Sequence, residues 1–120
     1  MRVAISTQGI DLNAEVDPRF GRARNFVLVE TDTMKHQVVE NAQSLQLPQG
    51  AGIQAAQTIL QHHPDAILTG NCGPKAFRVL QAAKVKVVVG VKGRISDVLR
   101  NFMEGKCAPA ASANVEGHWG

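Results

Sequence analysis

The sequence lacks the features of membrane-spanning, disulfide-rich and disordered proteins. It contains only two cysteines, Cys72 and Cys107, which are too few for a disulfide framework and are typical of a reducing compartment. No hydrophobic run approaches the length of a membrane span, and the N-terminal apolar run is too short for a signal segment. With 44% hydrophobic and 19% charged residues among 120, we expect one soluble, cytoplasmic domain.

Aromatic residues are scarce as well. Tyrosine is absent, and Phe and Trp together make up 4% of the chain. Single-stranded nucleic acids are bound largely by stacking bases on aromatic rings, so a nucleic-acid partner is disfavoured. The formal net charge of +3 still favours an anionic partner of some kind.

Motifs of common enzymes are also missing. The stretch GNCGPKA at 70–76 has neither the spacing nor the Ser or Thr of a Walker motif, and no dinucleotide fingerprint occurs. No Ser/His/Asp set and no paired acid and base accompany Cys72. The strands predicted at 2–7 and 66–70 carry no acidic residue, which magnesium-dependent nucleases of the ribonuclease H architecture require. We therefore expect a protein that is not an enzyme and has no catalytic residues.

Hydrophobic patterning predicts an α/β domain over residues 1–104 and a flexible tail over 105–120. Period-2 and short buried runs predict strands at 2–7, 25–32, 36–43, 66–70 and 85–91. Helical spacing predicts helices that begin near Gly50, Pro74 and Arg94, the last ending at Gly105. The resulting order, βββαβαβα, predicts a ribonuclease H-like fold with a five-stranded mixed sheet and helices on its faces.

This order places several loops at one edge of the sheet, which we call the rim. The first, third, fourth and fifth strands should run in one direction, so the segments that follow them and all three helix starts meet there. Helix starts offer unpaired N–H groups and the positive end of a dipole, and basic side chains add full charges. The rim therefore predicts an anion site, to which five cations belong: Arg19, Arg22, Lys75, Lys92 and Arg94.

Two residue types could ligate a metal. His36, His62 and His63 are predicted at the edge opposite the rim, while His118 lies in the tail. Cys72 precedes a helix start, where a lowered thiol pKa would make a thiolate available to a soft metal. The alternative is a small buried residue in a tight turn, and both interpretations remain open.

Four blocks together resemble the dinitrogenase iron–molybdenum cofactor biosynthesis family: DPRFGRARNFVLVE, ENAQ, GAGIQAAQTIL and LTGNCGPKAFRVLQAAKVKVV. The resemblance covers residues 1–102. It implies a ribonuclease H-like α/β fold and non-catalytic binding or carriage of an anionic metal–sulfur cluster or its precursor. One branch, the orange proteins, is associated with a mixed molybdenum–copper sulfide. A cluster-assembly or delivery protein is an implied partner.

The family motif falls on Asp17 to Arg22, on Gly50 and Gly52, and on the run from Gly73 to Ala76. No histidine ligand of the kind implied for nitrogenase cofactor carriers can be carried over to the rim. This departure favours an outer-sphere anion over a coordinated iron–molybdenum cofactor. The cofactor-binding residues that we predict, with Cys72 as the metal ligand, are Arg19, Gly21, Arg22, Asn41, Gly50, Gly52, Gly73, Pro74 and Lys75.

Other interpretations of the same residues remain. Asp17 could pair with an arginine only to make its loop rigid, Phe20 is expected to join the core, and Gly21 is expected to permit a turn. Two other functions also stay open. The domain could be a protein–protein adaptor in cluster assembly, or its rim could bind a nucleic acid or a phosphorylated ligand.

Overall fold

The computed structural model describes residues 1–42 and 50–114, and over these ranges it contains a five-stranded mixed sheet and three helices. The strands are β1 (Arg2–Thr7), β2 (Asn25–Glu30), β3 (Lys35–Glu40), β4 (Ala66–Leu68) and β5 (Lys86–Val88). The helices are α1 (Ala51–Leu60), α2 (Pro74–Ala82) and α3 (Ile95–Met103). The prediction of an α/β domain with a mixed sheet is confirmed.

The strands lie side by side in the order β3-β2-β1-β4-β5. β2 pairs antiparallel with both β1 and β3, and Val3 of β1 lies opposite Val29 of β2. β4 joins the other side of β1 in parallel, and β5 is parallel to β4. Strands that run in the same direction need crossover connections: α1 lies in the connection that leads from β3 at one edge to β4 beside β1, and α2 lies in the connection from β4 to its neighbour β5. Four strands therefore run in one direction, with β2 reversed.

Helices cover both faces of the sheet. Alternation along β1 sends Ala4 to one face and Val3 and Ile5 to the other, as the two-residue period of a strand requires. The first face packs against α1 and α2 through Ala56, Ile59, Ala76, Phe77 and Leu80. The second face packs against α3 through Ile95, Val98 and Leu99. The sheet is thus the middle layer of three.

The ends of the helices follow the local sequence. In α3 the buried residues Ile95, Val98 and Leu99 lie on one side of the helix, and Gly105 follows its end with φ of 78°, a conformation that glycine adopts without strain. Pro74 occupies the first turn of α2, where a missing N–H costs nothing. None of the helices described in 1–42 and 50–114 has both the length and the apolarity to cross a membrane.

Four predicted strands extend past the ends of the observed ones. β2 ends at Glu30, because residues 31–34 form the turn to β3. β4 ends at Leu68, and β5 spans only Lys86–Val88, since the chain turns at Gly90 with φ of 76°. The predicted third strand ends at Glu40, and residue 43 lies outside the described residues.

The described part of the segment after α3, which the sequence predicts to be a flexible tail, contacts the domain. Residues 106–114, which we call the C-terminal arm, turn back onto the domain. The Ala110 N–H donates to the Val87 carbonyl of β5 at 2.7 Å, and Ala110 and Ala113 pack against the first core face. The rest of the predicted tail, 115–120, lies outside the described residues. The arm therefore covers the edge of the sheet that β5 forms.

Candidate functional site

The rim contains the strand ends and helix starts that the predicted strand directions place there. β1, β3, β4 and β5 all end at this edge, where β2 and all three helices of the described chain begin. Thr7 of β1 lies opposite Asn25, and Asn25 lies opposite Glu40 of β3. The loop over residues 8–24 connects β1 to β2 and therefore starts and ends on the rim.

The first half of this loop is bound to the β5–α3 connection. Thr7 forms an antiparallel bridge with Val16, and the Val16 N–H donates to the Gly93 carbonyl at 2.8 Å. The Ile95 N–H at the start of α3 donates to the Ala14 carbonyl at 2.9 Å. These contacts fix the loop against the helix start that carries Lys92 and Arg94, both of which are exposed.

Asp17 organises the second half of the loop. Its side chain is 2% exposed, and its Oδ1 accepts the Arg19 N–H at 2.8 Å and lies 3.7 Å from the Arg19 Nε. Its Oδ2 accepts a hydrogen bond from the Gln8 amide, while its own N–H donates to the Ser6 carbonyl at 2.7 Å. Asp17 therefore pairs with Arg19, as one of the interpretations of the sequence has it. The Arg19 side chain remains 48% exposed.

Phe20 is a residue of the hydrophobic core. It is fully buried, and its ring lies 5.2 Å from that of Phe26, centroid to centroid. Its N–H donates to the Asn71 carbonyl at 3.1 Å, which joins the loop to the β4–α2 turn. Gly70 permits this approach, because a Cβ there would lie 2.7 Å from the Pro18 Cα. The core role predicted for Phe20 is confirmed.

Asn41 connects the end of β3 to the same loop. Its Nδ2 donates to the Ala23 carbonyl at 2.8 Å and to the Gly21 carbonyl at 3.5 Å. Its Oδ1 is buried and has no hydrogen-bond partner among the residues that the structure describes. Gly21 itself is buried, and its φ is not positive, so the φ-permissive role predicted for it is wrong. Arg22 follows as a half-buried residue.

The starts of α1 and α2 both contribute backbone groups to the rim. Gly50 precedes α1 with φ of 78°, and Gly52 is buried in its first turn. Gly73 precedes α2 in an extended conformation. As a glycine it has no side chain that could accept a hydrogen bond from the N–H groups at the start of this helix. Pro74 is half-buried and Lys75 is exposed. The predicted glycines and Lys75 therefore all lie at this edge.

Cys72 differs from the sequence-based expectation. Its side chain is buried in the first core face, and its Sγ lies 3.7 Å from the Gly73 carbonyl, to which it donates. Burial raises the pKa of the thiol to about 12, whereas the expected helix-start effect would lower it. A thiolate that coordinates metal is thus disfavoured in this conformation, and the alternative prediction of a small buried residue describes Cys72 better.

The histidines that the structure describes lie away from the rim. His36 is on β3 near its start, and His62 and His63 follow α1 at the opposite edge, where the His62 carbonyl accepts a hydrogen bond from Arg2 at 2.6 Å. His118 lies outside the described residues. Over 1–42 and 50–114, no three His, Cys, Asp or Glu side chains are placed to hold a metal ion together. The described part of the rim therefore offers a ligand cationic side chains and backbone N–H groups.

One residue of the rim was missed by the sequence analysis. Asn114, at the end of the arm, makes hydrogen bonds to three residues of the β4–α2 turn, including one from the Cys72 N–H at 2.8 Å. It is separated from Cys72 by 42 residues and stands in an Ala- and Ser-rich stretch, which predicts no contact.

The edge opposite the rim carries a separate groove of about 390 Å³. It is lined by Met1, Thr31, Lys86, Phe102, Met103, Cys107 and Pro109. Cys107 thus lies far from the predicted anion site and takes no part in it.

Comparison with known proteins identifies relatives over nearly the whole chain. The sequence profile described as dinitrogenase iron-molybdenum cofactor matches residues 1–105. A protein of Methanocaldococcus jannaschii is 29% identical over 97 residues, which are 78% of this chain and 81% of that protein.

Two solved structures resemble this chain in both fold and sequence. The apo form of the orange protein from Desulfovibrio gigas has 42% identity and a TM-score of 0.93, with 95% of this chain and 96% of that chain covered. A NifB-like protein of Thermotoga has 32% identity and a TM-score of 0.81, with 97% and 98% covered. The match over residues 1–105 and these two likenesses show that the chain belongs to the dinitrogenase iron–molybdenum cofactor family.

Proposed function

We propose that this chain binds an anionic molybdenum-containing sulfide cluster at the rim and carries it without catalysing a reaction. The observation that carries the proposal is the meeting of two helix starts, rich in glycine and backbone N–H groups, with Arg19 and Lys75 at one edge. Membership of the family supports a role in binding a cluster. The order of the strands, β3-β2-β1-β4-β5, supports the finer assignment of the fold as ribonuclease H-like.

The chemistry of such a cluster suits the rim. A thiomolybdate-type anion spreads several negative charges over soft sulfur atoms, which accept hydrogen bonds weakly. Several diffuse cations and the positive ends of helices stabilise it better than one point ligand does. Asp17 holds the Arg19 N–H and lies near its Nε, so the guanidinium is positioned on a rigid loop while half of the side chain stays exposed.

Among candidate clusters we favour the mixed molybdenum–copper sulfide over an iron–molybdenum precursor. The 42% identity with the orange protein of Desulfovibrio gigas supports that preference. The cluster is cargo in this proposal, and the protein contributes charge, N–H donors and a preformed loop. An adaptor role remains the alternative if the protein does not retain any cluster.

The proposal is tested by titrating the metal-free protein with tetrathiomolybdate under anaerobic conditions, with and without copper(I). After desalting, molybdenum and copper are measured in the protein fraction together with its visible spectrum. Retention of molybdenum with copper supports the mixed cluster, and retention without copper supports a molybdenum sulfide alone. If no molybdenum stays with the protein under either condition, the proposed cargo is wrong.

Arg19→Ala is the first variant to compare. We expect retention to weaken about tenfold, the factor that one charge-assisted hydrogen bond contributes. Arg100→Ala is the matched control, because Arg100 is 64% exposed in the last turn of α3, away from the rim. Equal retention by the two variants would remove Arg19 from the site.

A further inference from the structure

The C-terminal arm makes specific contacts with the β4–α2 turn at its end. The Asn114 Oδ1 accepts the Cys72 N–H at 2.8 Å. The Asn114 Nδ2 donates to the Gly70 carbonyl at 3.2 Å and to the Asn71 Oδ1 at 3.1 Å. Its own N–H donates to the Cys72 carbonyl at 3.3 Å. One exposed residue thus makes four hydrogen bonds to a turn of the rim.

In these contacts Asn114 accepts a hydrogen bond from a backbone donor of the rim, the Cys72 N–H, which could otherwise bind an anion. The Cys72 N–H lies immediately before the start of α2, in the turn where the rim offers backbone N–H groups. A carboxamide oxygen carries a partial negative charge, so it satisfies this donor as one atom of an anion would. While Asn114 stays in place, the donor is not available to a ligand.

We propose that the C-terminal arm is a latch on the rim and that Asn114 is its positioning residue: a bound anion takes the Cys72 N–H only after the Asn114 carboxamide has left it. The inference rests on the proposed function for the identity of the anion. The latch itself rests on the four hydrogen bonds and on the packing of Ala110 and Ala113 against the core.

Opening the latch has a second consequence, which concerns Cys72. Both backbone groups of Cys72 are bonded to Asn114, and its side chain is 0% exposed in the core face that Ala110 and Ala113 help to cover. Burial raises the pKa of the thiol to about 12, so the thiol is protonated while the arm is closed. If the arm leaves, we expect solvent to reach Cys72 more often beside the start of α2, where a thiolate is favoured.

The latch is tested first without any cluster, by the reactivity of Cys72. In the Cys107→Ser background, Cys72 is the only thiol, and its thiolate can attack an aromatic disulfide reagent, forming a mixed disulfide and releasing a coloured thiolate. Asn114→Ala should raise the rate of this reaction about tenfold or more, because the variant loses the side-chain hydrogen bonds that hold the arm on the turn. Asn101→Ala, an exposed residue of α3, is the control and should leave the rate unchanged.

Melting temperatures separate local opening from global unfolding. An increased rate in Asn114→Ala at an unchanged melting temperature supports the latch. An unchanged rate overturns it, and so does an increase that Asn101→Ala reproduces. If Asn114→Ala melts early, Asn114→Asp replaces it, since a carboxylate still accepts the Cys72 N–H but cannot donate to Gly70 and Asn71. The rate should then rise by a smaller factor.

The anion itself is tested with tetrathiomolybdate. If the wild-type protein retains it, Asn114→Ala should load faster and Asn114→Asp more slowly, because the aspartate competes for the donor and repels the anion. Equal loading by the three proteins would overturn the competition between Asn114 and the ligand while leaving the proposed function standing. If none of the three retains the anion, the proposed function fails, and the thiol reaction alone decides whether the arm is a latch.

Discussion

At the scale of single residues, the loop on the rim depends most on Asp17. Its buried carboxylate accepts from Arg19 and Gln8, so replacing one oxygen by an NH₂ group leaves two donors facing each other. Asp17→Asn should therefore lower the free energy of unfolding by about 1–3 kcal/mol, the cost of an unsatisfied buried polar group. Urea denaturation followed by circular dichroism measures this change.

The control for Asp17 is Asp97→Asn. Asp97 is 58% exposed and pairs with Arg100 at 3.2 Å on α3, so its loss should cost less than about 1 kcal/mol. Similar losses in the two variants would mean that Asp17 does not hold the loop. Asp17→Asn should also weaken cluster retention, because Arg19 loses the carboxylate that positions it.

At the scale of elements, the junction of β4 with α2 depends on Gly70. A Cβ at this position would lie 2.7 Å from the Pro18 Cα and 2.9 Å from the Pro18 carbonyl oxygen, so backbone must move. We expect Gly70→Ala to cost about 1–3 kcal/mol, the usual range for overpacking, and to shift the amide resonances of the loop over residues 8–24.

Gly90→Ala separates this steric effect from backbone strain. A Cβ at Gly90 meets nothing within 4 Å, but the φ of 76° disfavours alanine. The variant should lose about 1 kcal/mol without shifting the resonances of the loop. Loop shifts that are as large as those of Gly70→Ala would contradict the close packing of Pro18 on Gly70.

At the scale of the whole molecule, the buried thiol of Cys72 makes stability depend on alkaline pH. The unfolded thiol ionises near its ordinary pKa of 9.0, whereas the folded thiol keeps its proton up to about 12. Above pH 9.0 the unfolded state therefore binds fewer protons, and the free energy of unfolding falls as pH rises. The contribution is fully present below that pH and is lost progressively up to about pH 12.

The comparison of wild type with Cys72→Ala isolates this effect from the titration of lysines. Between about pH 8 and about pH 10.5, the wild type should lose about 2 kcal/mol more than the variant does. Urea denaturation at the two pH values measures the difference. Parallel losses in both proteins would show that Cys72 is accessible enough to titrate normally in the folded state.

The position of the rim could be predicted from sequence because it depends on local patterns. Short buried runs, helical spacing and the positions of Gly50 and Pro74 predict the elements, and strands that run in the same direction end at one edge of the sheet. The exact ends of the strands could not be predicted, since hydrophobic residues continue past Val88 although the chain turns at Gly90.

Charge and exposure within the rim depend on side-chain contacts that the motif by itself does not specify. Arg19 is partly exposed and Phe20 is buried although they are neighbours in the same motif, because Phe20 packs on Phe26 and Arg19 pairs with Asp17. For Cys72 the sequence left a lowered pKa and a buried thiol both open, and burial by the core, which is not a local feature, raises the pKa.

The sequence by itself determined the α/β class, the succession of its elements and the family, because periodicity, turn residues and ordered motif blocks are properties of short segments. Only the tertiary structure decided that Cys72 is buried and that Asn114 reaches the turn at 70–73. Contacts between residues 42 positions apart depend on how the arm packs along β5, and no local pattern in an Ala- and Ser-rich stretch encodes that packing.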